Sequence, residues 1–299
     1  MISEKPVNNM PLGNLSGISY CHHQWLGISD KDDKYIYQLV EKSSYYEARK
    51  ISLPPIPKLN DLGSSFTAEQ PEVFEGQGNL DFEAIVCDKE GSLYLVSEST
   101  NQILKVSNGF SQANWLILPN NLIYEAKKAN LLRHFNAKFE GLAVDGEITK
   151  LWLVAERDSR GIILLEKVND QWVCEDCVLL SEHLMRSSPK LLGSKRLPLD
   201  FSDAFYYQGK LFTLERLQHQ ICRRNSHNAQ LEKCWQFEDS VLSDEKFRYG
   251  AYSFGQAEAL WLNDDEVWIG IDNNNMYRND GEYRPIIYRF KAPNSGWLD

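Results

Sequence analysis

Several features that define membrane, nucleic-acid-binding or exported proteins are missing from this 299-residue chain. No apolar run approaches the roughly 18 residues that a membrane-spanning helix needs, so we expect no membrane insertion. The net charge of −10 opposes binding to the polyanionic backbone of nucleic acids. The first residues, MISEKPVNNMPLG, lack a basic start followed by an apolar stretch. We therefore expect a cytoplasmic protein, or a periplasmic or secreted one if the N-terminus has been trimmed.

Familiar catalytic signatures and a disulfide framework are also missing. The chain contains no GxSxG, Walker loop, HExxH or dinucleotide fingerprint. Its six cysteines are sparse, and the lone CxxC of Cys174 and Cys177 has no second pair or nearby histidine. We interpret these two as structural thiols within a strand, WVCEDCVLL, with a zinc or redox site as the alternative. Cys222 and Cys234 lie on consecutive predicted strands and are expected to pair only in an oxidising compartment.

A pattern that recurs five times dominates what the sequence does contain. Each copy starts with a polar or acidic residue followed by Gly or Ala, turns through polar residues, and ends its second apolar strand in an acid. The copies are residues 15–30 (LSGISYCHHQWLGISD), 82–98 (FEAIVCDKEGSLYLVSE), 139–156 (FEGLAVDGEITKLWLVAE), 202–215 (SDAFYYQGKLFTLE) and 257–272 (AEALWLNDDEVWIGID). Further short strands follow each copy, and 12% of the residues are aromatic, which favours β structure.

Repeated sets of short antiparallel strands predict an all-β fold of the β-propeller type. We expect one domain over residues 1–299 with four-stranded antiparallel blades, five in number. A sixth blade within residues 55–80 or 110–137 is the alternative. An N-terminal strand near residues 2–8 is expected to complete the last blade and close the ring, which removes an open sheet edge. The long connections, including 181–200 and 241–256, are predicted to be loops over one face.

The acids of the repeats form two predicted rings. If each hairpin pairs regularly, first-ring and second-ring residues face each other directly, which destabilises a sheet unless something neutralises them. In a propeller the first strands line the channel, so the first ring meets at one mouth, where the small Gly or Ala residues allow close approach. The first ring is Ser16, Glu83, Glu140, Asp203 and Glu258, and the second is Asp30, Glu98, Glu156, Glu215 and Asp272.

Oxygen ligands without His or Cys select a hard cation. We predict a metal site formed by Glu83, Glu140, Asp203 and Glu258, with Ser16 as a neutral ligand. Calcium is the first candidate, and magnesium or manganese are possible substitutes. In the alternative interpretation, these acids accept hydrogen bonds from backbone N–H groups of neighbouring blades, and no metal is needed.

Two arginines follow second-ring acids and suggest substrate recognition. Arg157 and Arg216 could hold an anionic substrate over the cation, with Glu156 as the proton acceptor; alternatively, each arginine neutralises neighbouring acids. His134 and His219 lie near the third and fourth repeats and are weaker acid–base candidates.

The repeats resemble the phytase-like family, described as "esterase-like activity of phytase". The resemblance rests on LSGIS…GISD at 15–30, DFEAIVCDKEGSLYLVSES at 81–99 and KFEGLAVD…LWLVAER at 138–157, and it continues with less fidelity through the last two repeats. It implies a largely bacterial propeller family, often exported, whose name comes from calcium-dependent phytases that hydrolyse phosphomonoesters at the channel mouth. It also implies that Glu83, Glu140 and Glu258 lie at that mouth. Ser16 departs from the acid expected in the first repeat.

The sequence is compatible with two functions. The first is a metal-dependent hydrolase of phosphoesters or other esters that acts on a small anionic substrate. The second is a non-catalytic propeller that binds a ligand or a protein and holds a structural calcium. In both cases we expect a monomer.

Overall fold

The structure is a computed structural model that describes residues 1–11, 14–59, 80–134, 138–157, 159–187, 196–249 and 256–299. Its strands are β1 (Ser3–Asn8), β2 (Gly17–Cys21), β3 (Gln24–Ser29), β4 (Asp32–Glu41), β5 (Tyr46–Ser52), β6 (Phe82–Cys87), β7 (Leu93–Ser97), β8 (Gln102–Val106), β9 (Ala113–Trp115), β10 (Phe139–Val144), β11 (Lys150–Ala155), β12 (Arg160–Val168), β13 (Gln171–Val173), β14 (Val178–Glu182), β15 (Met185–Ser187), β16 (Arg196–Pro198), β17 (Asp203–Tyr207), β18 (Lys210–Glu215), β19 (Gln220–Asn225), β20 (Leu231–Gln236), β21 (Ala257–Leu262), β22 (Glu266–Ile271) and β23 (Ile286–Lys291). The α-helices are α1 (Leu122–Lys128) and α2 (Glu238–Leu242).

Most strands form antiparallel sets of consecutive hairpins, and each of the five predicted repeats supplies the first hairpin of one set: β2–β3, β6–β7, β10–β11, β17–β18 and β21–β22. Strands β6–β9 and β17–β20 form four-stranded sheets, and β10–β13 form another, to which β14 adds by pairing with β12. Strand β1 pairs antiparallel with β23 and, at Val7 and Asn8, parallel with β5. The first and last sheets thereby join into one eight-stranded sheet. The all-β class is confirmed, whereas the number of blades and the closure of the ring stay predictions.

The first strands of the sheets lie beside one another around a common centre. Strand β2 contacts β6, β6 contacts β10, β10 contacts β17, β17 contacts β21, and β21 contacts β2. The approach is close, because a Cβ built on Gly141 would lie 2.7 Å from the Cα of Asp203 on the next first strand. Gly141 is therefore needed for packing, as the sequence pattern predicted for the small residues. The arrangement is propeller-like.

The hydrophobic core lies between neighbouring sheets. One buried cluster, for example, combines Val96 and Ile103 of the second sheet with Leu142 and Leu153 of the third. Another combines Ala259 and Trp268 of the last sheet with Ile18 and Tyr37 of the first. Burying each large apolar side chain contributes about 1.5–3 kcal/mol, so the sheets hold each other in place and fix the strand ends at the centre.

Some predicted loops contain regular structure. Helix α1 lies within 110–137, helix α2 overlaps the start of 241–256, and the small hairpin of β15 and β16 lies within 181–200. The alternative sixth blade at 55–80 falls largely outside the described residues, and 110–134 contains a short strand and a helix instead of a sheet. None of the helices within the described ranges is long and apolar enough to cross a membrane.

The cysteines form three disulfides. Cys21 on β2 bonds to Cys87 on β6, and Cys222 on β19 bonds to its direct partner Cys234 on β20. Cys174 and Cys177 also form a disulfide, so the prediction of free thiols within one strand is wrong. The chain leaves the sheet between β13 and β14, where Asp176 has a left-handed backbone (φ 48°), and it then pairs again with the same strand, β12, as β14.

Candidate metal centre and active site

β-Bulges position three acids of the first ring. Phe82 pairs with Ser97 and Ala84 with Val96, so Glu83 is the extra residue of a bulge, and the same irregularity occurs at Glu140 and Glu258. A bulge re-aims the side chain of its extra residue. The predicted direct opposition of first-ring and second-ring residues is therefore wrong, because Asp203 likewise pairs with Leu214 and not with Glu215. The acids nevertheless gather at the same strand ends.

A cavity of about 660 Å³ lies where these strand ends meet, and we call it the acidic cavity. It is lined by nine carboxylates and three cationic side chains, with a few neutral residues between them. The carboxylates are Asp30, Asp81, Glu83, Glu98, Glu140, Glu156, Asp200, Glu258 and Asp272, and the cations are Lys31, Arg157 and Arg216. If every group were charged, the lining would carry an excess of six negative charges (nine minus three).

Three carboxylates on one side of the cavity form a compact group, which we call the acid cluster. One oxygen each of Asp30, Asp81 and Glu83 lies within 4.8 Å of the other two. The ammonium of Lys31 contacts Asp30 at the edge of the group. Sequence reasoning missed Asp81, although it directly precedes the second repeat; its left-handed backbone (φ 55°) places it there, and its carbonyl accepts a hydrogen bond from the N–H of Glu98 at 2.8 Å.

The electrostatics of this side favour protons or a bound cation. Burial, followed by the charges of Asp30 and Asp81, raises the pKa of Glu83 well above its usual range. Burial and the charge of Asp30 also raise the pKa of Asp81. Burial and the neighbouring Asp81 raise the pKa of Glu98 to about 8. Like charges this close cannot all be ionised unless a positive charge lies among them.

Four buried carboxylate oxygens in the cavity wall lack a hydrogen-bond partner within the part of the chain that the structure describes. They are Asp30 Oδ1, Glu98 Oε1, Glu156 Oε2 and Glu258 Oε2. A buried polar atom without a partner costs free energy, and several in one cavity indicate a missing donor or ion. A hard divalent cation, which binds oxygen ligands, fits this donor set, and the acid cluster is its candidate binding site.

Arg216 neutralises a second group of cavity carboxylates, Asp200, Glu258 and Glu156. Its buried guanidinium donates from Nε to Asp200 at 2.5 Å, from Nη1 to Glu258 at 2.5 Å, and from Nη2 to Glu156. Although burial alone would lower its pKa, the charges of Glu258, Glu156 and Asp200 raise it well above the usual range. The geometry matches the neutralising interpretation of Arg216, since three carboxylates occupy its donors. Asp200, on the chain after β16, was also missed by sequence reasoning.

Arg157 and Glu156 border the open part of the cavity. Arg157 Nη1 lies 2.9 Å from Glu156 Oε1, and the arginine side chain is 38% exposed. Glu156 itself is buried, with Oε1 held by both arginines. Both residues of the predicted catalytic group therefore lie in the cavity wall, and their catalytic role stays a prediction.

Asp272, Glu258 and Glu140 complete the wall. Asp272 accepts from Asn14 Nδ2 at 2.9 Å, and burial raises its pKa to about 7. Burial raises the pKa of Glu258 to about 8, with Arg216 opposing the shift. Burial and the nearby Glu156 raise the pKa of Glu140 well above its usual range.

Three predicted site residues, Asp203, Ser16 and Glu215, do not line the cavity. Asp203 accepts backbone hydrogen bonds from Ala204 at 2.8 Å and from Leu260 of the next first strand at 2.7 Å. Ser16 Oγ accepts from the N–H of Asp30 at 2.9 Å and so closes its own hairpin. For Asp203 the structure therefore matches the alternative in which the acid links neighbouring sheets.

Glu215 lies outside the cavity in a separate ion-pair group with Arg160 and Arg224, at 2.9 and 2.8 Å. Burial acts to raise its pKa, but the two arginines outweigh burial and lower it. The histidine candidates do not line the acidic cavity: His219 packs against the ring of Phe237, and His134 is likewise absent from the lining.

Comparison with solved structures returns distant likenesses. A streptogramin B lyase is 12% identical, with 98% of this chain and 73% of that chain covered at a TM-score of 0.40. A gluconolactonase from Xanthomonas campestris is 8% identical, with coverages of 93% and 72% and a TM-score of 0.46. A PQQ-bound aldose sugar dehydrogenase from Streptomyces coelicolor is 11% identical, with coverages of 95% and 97% and a TM-score of 0.45.

The sequence comparison is more specific. No curated protein matches the chain. The family model described as "Phytase-like: Esterase-like activity of phytase" matches residues 10–161, which is just over half of the 299 residues and includes the first three repeats. The chain therefore belongs to the phytase-like family.

Proposed function

We propose that this protein is a hydrolase of phosphoesters or other esters that acts at the acidic cavity and depends on a divalent cation, calcium first, with magnesium or manganese as substitutes. The observation that carries the proposal is the acid cluster, Asp30, Asp81 and Glu83, beside buried carboxylate oxygens without partners among the described residues. Membership of the phytase-like family supports the same class of reaction. The substrate is a small anionic ester.

The cavity side chains have distinct roles in this proposal. The acid cluster would hold the cation, which when bound polarises an ester oxygen and lowers the pKa of a water molecule. Glu156 takes the proton of the attacking water at Oε2, because Oε1 is held by Arg216 and Arg157. As the water oxygen bonds to the ester centre, the bond to the alcohol oxygen breaks, and the proton passes from Glu156 to the leaving alkoxide. Arg157 is partly exposed and orients the anionic group of the substrate. Arg216 positions Glu156 and Glu258 and does not contact the substrate.

The finer features of the fold belong to the same proposal. We take residues 1–299 as one five-bladed propeller domain, closed by β1 and monomeric; the cyclic contacts of the first strands and the β1–β23 pairing support it. Three disulfides are typical of an oxidising compartment, so they favour a periplasmic or secreted location over a cytoplasmic one.

Metal content and activity test the hydrolase proposal together. Purified protein is expected to carry one divalent ion per chain by elemental analysis, and to hydrolyse the anionic ester 4-nitrophenyl phosphate faster than the neutral 4-nitrophenyl acetate. A chelator should abolish the activity and added calcium should restore it. Asp81→Asn and Glu83→Gln should each weaken calcium binding at least about tenfold, because each removes one charged ligand. Asp265→Asn, which changes an exposed acid in the β21–β22 turn, is the matched control. Activity that survives the chelator, or full metal occupancy in both variants, would refute the proposal.

The second candidate is a non-catalytic binding propeller with a structural calcium. One observation favours it: the donors of Arg216, a predicted substrate-binding residue, are occupied by Asp200, Glu258 and Glu156. This function predicts a melting temperature that rises with calcium and no turnover of either nitrophenyl ester.

A further inference from the structure

The connection from β22 to β23 joins the acidic cavity to a pair of exposed aromatic rings. Asn274 and Met276 of this loop line the cavity. Tyr277 follows directly and is 65% exposed, and Tyr283 near the end of the loop is 59% exposed. The two ring centroids are 5.8 Å apart with a tilt of 44° between the ring planes. We call these two residues the tyrosine pair.

The loop that carries the tyrosine pair is firmly held. Asn273 is fully buried; its carbonyl accepts from the N–H of Met276 at 2.8 Å, and its side-chain amide donates to the carbonyl of Tyr283. Arg278 is also buried, donates to Asp280 at 2.5 Å and pairs with Glu4. The rings therefore project from a fixed backbone, which lowers the entropy lost when a ligand binds between or upon them.

The surroundings of the pair favour a flat apolar ligand over a charged one. The charged side chains that follow Tyr277 in this loop already have partners: Arg278 pairs with Asp280 and Glu4, and Arg284 pairs with Glu282 and bonds Asn8. These charges are therefore already neutralised beside the rings. Tyrosine rings, in contrast, offer faces and edges that attract another aromatic ring.

We propose that the tyrosine pair binds an aromatic ring in the alcohol part of the substrate while the anionic ester group enters the acidic cavity. This proposal rests on the proposed function, since it assumes that the cavity takes an anion over a cation. It narrows the substrate to an anionic ester of an aromatic alcohol. Asn274 and Met276 connect the two parts of the site, because both line the cavity and Met276 directly precedes Tyr277.

Equilibrium binding of two phosphonates tests the ring site without turnover. Phenylphosphonate and methylphosphonate carry the same anionic group, and their P–C bond resists ester hydrolysis. In the presence of calcium, we expect phenylphosphonate to bind more tightly than methylphosphonate by isothermal titration calorimetry. Tyr277→Ala and Tyr283→Ala should each weaken phenylphosphonate binding about threefold to tenfold and leave methylphosphonate unchanged, as expected for the loss of one aromatic contact. Tyr277→Phe should retain the wild-type affinity.

Tyr124→Ala is the matched control, because Tyr124 is similarly exposed but lies on helix α1, outside the residues that line the cavity. Since all three tyrosines are exposed, the variants should fold, which circular dichroism would verify. Equal binding of the two phosphonates by the wild type, or unchanged phenylphosphonate binding in both alanine variants, would overturn the ring site alone. Failure of both compounds to bind would overturn the ring site and the anion-binding cavity together.

Discussion

Lys31 is the residue on which the charge balance of the acid cluster depends. Its ammonium contacts Asp30, and the charges of Asp81 and Glu83 also act on it. Burial alone would lower the pKa of Lys31, but the hydrogen bond and charge of Asp30 outweigh burial, so the pKa is raised and the side chain stays charged. A calcium ion in the cluster has to share these carboxylates with Lys31.

Removal of the Lys31 charge should therefore strengthen calcium binding. We expect Lys31→Met to lower the calcium dissociation constant about tenfold, equal to about 1.4 kcal/mol, measured by titration calorimetry. Lys34→Met is the control, because Lys34 is exposed and does not line the acidic cavity. Weaker calcium binding by Lys31→Met would show that Lys31 supports the metal site and does not compete with it.

At the scale of strands and hairpins, the sequence predicted at which strand ends the acids gather, but not which residues lie opposite them across each hairpin. The repeats located the first strands, and the acid at each strand end marked the cavity. The direct opposition failed because regular pairing was assumed, while Glu83, Glu140 and Glu258 are bulge residues. The sequence does not distinguish the two cases, because Asp203 is also an acid followed by Ala but pairs without a bulge.

Local backbone geometry and tertiary packing also explain why Asp81 and Asp200 were missed and why Asp203 does not line the cavity. Asp81 and Asp200 lie just outside strands, where pairing arguments do not reach; tertiary packing brings Asp200 to Arg216. Asp203 begins its strand like the other acids, but no bulge re-aims it, so its carboxylate meets the backbone N–H groups of Ala204 and Leu260. Which acids reach the cavity is thus decided by local backbone geometry.

The role of Asp203 as a link between sheets can be measured. Asp203→Ala leaves two buried N–H groups, those of Ala204 and Leu260, without their acceptor. Each unsatisfied group should lower the free energy of unfolding, measured by chemical denaturation, by about 1–3 kcal/mol. Calcium affinity should stay unchanged, whereas Glu83→Ala should reduce calcium affinity. A folded Asp203→Ala protein that has wild-type stability but has lost calcium would contradict this assignment and restore Asp203 as a ligand.

At the scale of the whole molecule, the converging carboxylates link stability to pH. Burial raises the pKa of Glu98 and of Glu258 from the ordinary 4.5 to about 8, and that of Asp272 from 3.8 to about 7. The folded protein therefore retains protons that the unfolded chain has released between about pH 4 and pH 8. Stability then falls as pH rises through this window, by about 1.4 kcal/mol per pH unit for each retained proton. The pKa of Glu215 is lowered instead, so the stability contributed by Glu215 is lost as pH falls, and only below its ordinary pKa of 4.5.

Calcium should reverse this pH dependence, because it replaces the protons that the cavity retains. We expect the melting temperature of chelator-treated protein to fall steadily from pH 5 to pH 8 by scanning calorimetry, and the increase caused by calcium to grow over the same range. Glu98→Gln removes one of the carboxyls whose pKa is raised, so it should make the melting temperature of the metal-free protein depend less on pH. Asp265→Asn changes an exposed residue and should leave this dependence unchanged. A metal-free melting temperature that rises from pH 5 to pH 8 would contradict the retention of protons by these carboxyls, and with it the need of the acidic cavity for a cation.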